Sequence, residues 1–158
     1  MSQLDLLSAP PRYDSSVINQ ALNMIRDQVE GQPVLTSPQL VRDFIELRIA
    51  PSERELFLVL FLDNRLSLIA DEVMFAGTID SASVYPREVA KRALQLNAAA
   101  VIFAHNHPSG IAEPSQADIR LTSRLVSALG LFDIRVLDHL VVGGGSGSIV
   151  SFAERGLL

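Results

Sequence analysis

His105 and His107 stand two positions apart, directly after the apolar run Ala98 to Ala104, in the stretch AAAVIFAHNHPSG. In an extended segment, residues two apart point to the same side, so two imidazoles can converge on one ion. Pro108 and Gly110 then impose a turn. Asp118 follows near the start of the next expected helix, where a chain that folds back can offer a carboxylate. The sequence has no cysteine, so any transition-metal site must be built from His, Asp or Glu. Two histidines and one aspartate leave zinc's fourth tetrahedral position open, as catalytic sites do. Bound zinc brings the pKa of water from about 15.7 to about 7, which supplies a nucleophile without a strong base. One zinc per chain is the expectation. A plainer reading stands beside it. His-x-His pairs occur by chance, and Ser115-Gln116-Ala117-Asp118 reads as a capping box in which Asp118 complements the helix dipole. Spacing alone leaves both open.

The elements that must position these residues follow from apolar periodicity. Residues 1–13, with Pro10-Pro11, read as a loose arm. A helix is expected over 16–30, capped by Ser15 or Ser16, with Val17, Ala21, Leu22, Ile25 and Val29 as its stripe and Gly31 as its stop. A second begins at Ser37 with Pro38 at its first position, packs through Leu40, Val41, Phe44, Ile45 and Leu47, and closes at Pro51. Leu56 to Leu62, LFLVLFL, predicts a central strand buried on both faces. Asp63-Asn64-Arg65 makes a turn into an antiparallel strand over Leu66 to Phe75, and Gly77 begins a loop. Pro86 opens a helix to about Asn97 that packs through Val89, Ala93, Leu94 and Leu96. The strand Ala98 to Ala104 follows, then a helix over about 116–130, a strand over Ile134 to Val142, a flexible turn in GGGSGS (143–148) and a last strand over Ile149 to Phe152. The fold class is α/β (α+β): a mixed, largely antiparallel sheet layered with helices. Residues 1–34 read as an N-terminal arm and helix, and 35–158 as one domain.

His105-Asn106-His107-Pro108, then Ser115-Gln116-Ala117-Asp118, resembles the H-x-H-P…S-x-x-D signature of the JAMM/MPN superfamily. RELFLVLFLDNR, GTIDSASVYPREVAKRAL, NAAAVIFAHNHPSG and DIRVLDHLVVGG resemble its bacterial RadC branch, from about residue 35 onward. The resemblance implies an MPN/cytidine-deaminase-like architecture, zinc on His105, His107 and Asp118, and a metallopeptidase-like hydrolase acting on amide or isopeptide bonds. It implies that the glutamate before the first hydrophobic strand is the acid/base, a role that falls on Glu55. Glu53 stays on the same face of an extended segment, and Glu72 and Glu113 are the other competing acids. Ser115 matches the serine that assists the substrate oxygen. Longer RadC proteins carry an N-terminal helix-hairpin-helix module, whereas residues 1–34 here show one clear helix, so a DNA-repair role is not carried over.

The net charge of −5 argues against non-specific nucleic-acid binding, which needs a basic surface. Arg87, Lys91 and Arg92 on one helix, and Arg120 and Arg124 on another, are either a rim for an acidic partner or a solvated face. No apolar run reaches the roughly 18–20 residues of a membrane helix, and no signal peptide is evident, so a cytoplasmic protein without a membrane partner is expected. His139 is either a hydrogen-bond partner of a ligand or a strand histidine satisfied locally. Ser109 has no evident His-Asp partnership. GGGSGS lacks the lysine and the context of a phosphate loop. The expected function is a zinc hydrolase with a peptide or protein substrate; a non-catalytic MPN-type binding module and a nuclease are the alternatives. The oligomeric state is not legible.

Overall fold

The structure, a computed structural model, describes residues 15–29, 31–77, 84–145 and 148–158. The expected N-terminal arm and most of the loop after Gly77 lie outside the described residues. Four helices, α1 (Ser15–Val29), α2 (Pro38–Ile49), α3 (Pro86–Gln95) and α4 (Gln116–Gly130), flank five strands: β1 (Glu55–Leu62), β2 (Leu68–Gly77), β3 (Ala100–Asn106), β4 (Arg135–Val142) and β5 (Ile149–Ser151). The strands form one sheet in the order β2-β1-β3-β4-β5. β1 is antiparallel to both β2 and β3, β3 is parallel to β4, and β5 is antiparallel to β4. The sheet is mixed and largely antiparallel, as expected. The single parallel pair needs a crossover, which α4 supplies.

Period-2 alternation in β1 explains the layering. Leu58, Leu60 and Leu62 pack on one face against Leu22 of α1 and Val41, Phe44, Ile45 and Ile49 of α2. Phe57, Val59 and Phe61 pack on the other, against Val89, Ala90 and Ala93 of α3 and Leu121, Leu125 and Leu129 of α4. The unbroken apolar run is the signature of a strand with helices on both sides.

Several local expectations need correction. Val17 is 58 % exposed, and Ile18 packs towards the core in its place. Leu94 is 47 % exposed, because α3 turns Val89, Ala90 and Ala93 inward. β2 starts at Leu68 rather than Leu66: the Asp63 carboxylate accepts from the main-chain N–H groups of Arg65 and Ser67, and Leu66 has φ 63°. That side-chain grip prolongs the turn by outcompeting the strand ladder. β3 starts later than expected and continues through Asn106, so His105 lies inside the strand; pairing with β4 carries on to Asn106 opposite Val142. Phe152 lies beyond β5, in a turn, fully buried. Asp118 and Ser115 do form a capping box at the start of α4.

Candidate metal centre

The C-terminal end of β3 and the first turn of α4 meet at one point. His105 Nε2 lies 3.0 Å from His107 Nε2 and 3.4 Å from Asp118 Oδ1, and His107 Nε2 lies 3.3 Å from Asp118 Oδ2. All three residues can offer one ligand atom within 4.8 Å of the others. His105 is 1 % exposed and Asp118 is buried, while His107 is partly open. Ligands at zinc distances of about 2.0–2.1 Å in a tetrahedron stand roughly 3.3 Å from one another. The observed separations match that edge.

The hydrogen bonds outside the triad determine what the triad presents. His107 Nδ1 donates to the Ile111 carbonyl at 2.8 Å, across the turn made by Pro108 to Gly110, so in the neutral ring Nε2 carries the lone pair and in the protonated ring Nε2–H faces Asp118. Asp118 acts both as cap and as part of the cluster. Its Oδ2 accepts from Ser115 N–H at 2.8 Å, its own N–H donates to Ser115 Oγ at 3.1 Å, and both carboxylate oxygens face imidazole nitrogens. The helix N-terminus adds partial positive charge beneath the carboxylate. Burial pushes the Asp118 carboxyl up, but the contacts with His105 and His107 prevail and hold it far below the usual carboxylate range. His107 is pushed above its ordinary value, first by the hydrogen bond with Asp118 and in part by the charge of Glu55. Two imidazole nitrogens 3.0 Å apart beside an anion require a cation or a proton between them. This donor set can hold a metal ion.

Glu55 opens β1 on the same side. Phe57 pairs with His105 in an antiparallel register, so two positions back along β1 correspond to two positions forward along β3, placing Glu55 at the level of His107. Among the competing acids, Glu72 is held by Arg92 at 2.6 Å, a contact that lowers its pKa, and Glu113 is paired with Arg155 at 2.7 Å. Glu53 lies before the strand begins and is exposed. Arg92's bond to Glu72 also takes one of the five expected rim cations into an ion pair. Ser115 is exposed at the lip of the cluster, and accepting from Asp118 N–H leaves its own proton uncommitted by that bond.

Five supporting residues are either not singled out by the sequence or left open by it. Asn106, between the two histidines, points to the other face and is buried. Its Oδ1 accepts from Leu56 N–H at 2.7 Å, and its Nδ2 donates to the carbonyls of Arg54 at 2.9 Å and Ser52 at 3.3 Å. The residues on both sides of Glu55 are thereby tied to the strand that carries the histidines. Gly143 and Gly144 belong to the run expected as a flexible turn, yet they press on the metal loop: Gly144 N–H donates to the Gly110 carbonyl at 2.9 Å, and a Cβ on Gly143 would sit 2.6 Å from that oxygen. His139 and Thr122 contact the candidate ligands directly, with His139 Nε2 2.8 Å from His105 Nδ1 and Thr122 Oγ1 donating to the Asp118 carbonyl at 2.7 Å. Thr122 lies four residues after Asp118 on α4, a spacing that puts both on one helix face and that was legible in principle.

Comparison with known proteins agrees with this geometry. Residues 35–157 match the family model described as RadC-like JAB domain. The chain is 61 % identical over 143 residues to a UPF0758 protein of Cellvibrio japonicus, 58 % identical over 141 residues to one of Vibrio vulnificus, and 56 % identical over 144 residues to one of Methylibium petroleiphilum. These alignments take in 90 %, 89 % and 91 % of this chain and 63 %, 62 % and 64 % of the relatives, so the chain spans a little under two thirds of their length. With the family model matched over residues 35–157, and His105, His107 and Asp118 of the H-x-H-P…S-x-x-D pattern gathered at one point, the chain belongs to the RadC-like JAB domain family.

Proposed function

We propose that this chain is a zinc-dependent hydrolase of amide or isopeptide bonds, with His105, His107 and Asp118 as the metal ligands. The observation that carries the reading is the convergence of two imidazole Nε2 atoms and a buried carboxylate at tetrahedral-edge separations, with the charge of Glu55 bearing on His107. When bound, zinc supplies Lewis acidity, polarising a carbonyl and acidifying water. The protein's own residues do the rest. His105 and His107 bind through Nε2, and Asp118 contributes the anionic oxygen. Glu55 takes a proton from the attacking water and delivers it to the leaving nitrogen, so one carboxylate serves as base and then as acid. Ser115 donates a hydrogen bond from its hydroxyl to the carbonyl oxygen as negative charge builds there, keeping its own proton. The net charge of −5 favours a peptide or protein substrate over a nucleic acid.

The test is a peptide and isopeptide library offered to zinc-loaded wild-type protein, Glu55→Gln and Glu53→Gln, with zinc content measured in each. The wild type should cleave a subset, and Glu53→Gln should stay near it. Glu55→Gln should keep its zinc and lose about 10²–10⁴-fold in turnover. Full activity in Glu55→Gln removes the assigned base. Zinc-loaded wild type that turns over nothing in the library points to the binding-module alternative instead.

A further inference from the structure

His139 of β4 lies outside the H-x-H-P…S-x-x-D pattern, yet both its ring nitrogens are committed. The residue is 0 % exposed. Phe57, Phe103 and Phe152 surround its ring at centroid distances of 5.6, 5.8 and 4.7 Å. Among the described residues its ring nitrogens have two polar neighbours: His105 Nδ1, 2.8 Å from His139 Nε2, and Thr122 Oγ1, 2.6 Å from His139 Nδ1.

The proton positions follow from donor and acceptor chemistry. Thr122 Oγ1 stands 2.7 Å from the Asp118 main-chain carbonyl oxygen. A carbonyl only accepts, so the proton between those oxygens is Thr122's. A hydroxyl has one proton, so Thr122 Oγ1 accepts from His139, which places His139's proton on Nδ1. Its Nε2 is then a lone pair, and it accepts from His105 Nδ1–H. His105 is left with an unprotonated Nε2, the atom that faces Asp118 and His107.

We propose that the string from the Asp118 carbonyl through Thr122 and His139 sets the tautomer of His105, so that its Nε2 lone pair is presented to the metal. His139 is a positioning residue that acts through His105. The proposal rests on the metal-binding reading above. It gives His139 a task that its aromatic surroundings cannot explain, since a phenyl ring would fill the same box.

His139→Phe is therefore the decisive variant. It keeps the packing and removes the acceptor. Zinc affinity is measured by titration against a competing chelator on the full chain, with thermal melting as the control for folding. His139→Phe should melt near the wild type and bind zinc about 10–100-fold more weakly. Wild-type affinity in a folded His139→Phe overturns the proposal. Should that variant not fold, Thr122→Val and Thr122→Ser carry the test: serine keeps the hydroxyl and should retain wild-type affinity, valine should lose affinity, and equal affinity in the two overturns the proposal. Long-range proton–nitrogen spectra of metal-free wild type at alkaline pH should show His105 and His139 both protonated on Nδ1. A His105 proton on Nε2 overturns the relay whatever the zinc result. Wild type that takes up no zinc overturns the metal reading, and the relay's purpose with it.

Discussion

At the scale of single residues, the cluster is a demand for positive charge. His107 Nδ1–H is tied to a carbonyl, and its Nε2 points at His105 Nε2 and Asp118. Purified, unchelated protein should contain about one zinc per chain, and replacing both histidines by alanine should remove it. Elemental analysis measures this, and stoichiometric zinc in the double mutant defeats the ligand set. Asp118 raises a sharper question, because cap and ligand share one carboxylate. Asp118→Asn keeps the shape and most of the cap. A role limited to capping costs on the order of 1 kcal/mol of stability and leaves zinc affinity unchanged. We expect instead a fall in affinity of at least about 100-fold, read by chelator competition. The pH dependence follows from the same contacts. Asp118 is held far below the carboxylate range and stays ionised, while His107 is raised above 6.5. A proton on His107 competes with the metal, so zinc affinity should fall as pH drops through a point above 6.5. Below that point the fall is about tenfold per pH unit for each proton displaced. An affinity flat from mildly alkaline to mildly acidic pH contradicts His107 as a ligand.

At the scale of elements, the centre depends on how β1, β3 and the 143–145 segment are held together. Asn106 substitutes its side-chain amide for ladder bonds at the start of β1. Asn106→Ala leaves Leu56 N–H and the Arg54 carbonyl without that partner in a part-buried position, which costs about 1–3 kcal/mol. Hydrogen exchange at Leu56 should accelerate in that variant; unchanged protection would mean the amide clasp holds nothing. Gly143 makes the complementary test. An added methyl meets the Gly110 oxygen at 2.6 Å and Ser148 Oγ at 2.6 Å, and the first of these is backbone that cannot swing aside. Gly143→Ala should cost about 1–3 kcal/mol and weaken zinc binding, because the displaced loop carries His107. Denaturant melts with and without zinc measure both effects. The glycine run shows why composition misleads: GGGSGS reads as slack, but Gly143 is glycine because the backbone of another segment occupies the space of a side chain.

At the scale of the whole molecule, the proposed ligands come from one strand and its following turn and from one helix, so an ion bound there would tie two layers of the fold together. An ion that binds only the folded chain stabilises it by mass action, about 2.7 kcal/mol at a free concentration one hundred times its dissociation constant. For a domain of this size the melting temperature should rise by roughly 5–10 °C. Calorimetry with and without zinc checks this, and the same zinc should leave the double-alanine mutant's melting temperature unmoved. A wild type that melts identically in zinc and in chelator has no such site. Among the described residues no helix is long and apolar enough to cross a membrane. The framework these melts report on is the α/β/α layering, with the proposed ligands gathered at the end of β3 and the start of α4.

Much of this was legible from the chain. A seven-residue apolar run with no polar alternation must be covered on both faces, and the two helices before it and the two after supply the cover. His105 and His107 share a face because strand side chains alternate, and Ser115 and Asp118 cap a helix because hydroxyl and carboxylate satisfy its free N–H groups. What the sequence could not decide is which distant segments would touch. Spacing left Asp118 open between cap and cluster; only the return of α4 across the sheet showed that its two oxygens serve both. His139 was open between a local and a site role, and the parallel pairing of β4 with β3 decided it by setting His139 beside the ligand strand. Asn106, Thr122 and Gly143 went unread for the same reason. Periodicity reports which face a residue takes within its own element, whereas hydrogen bonds and close approaches between segments far apart in the chain exist only once the fold has closed.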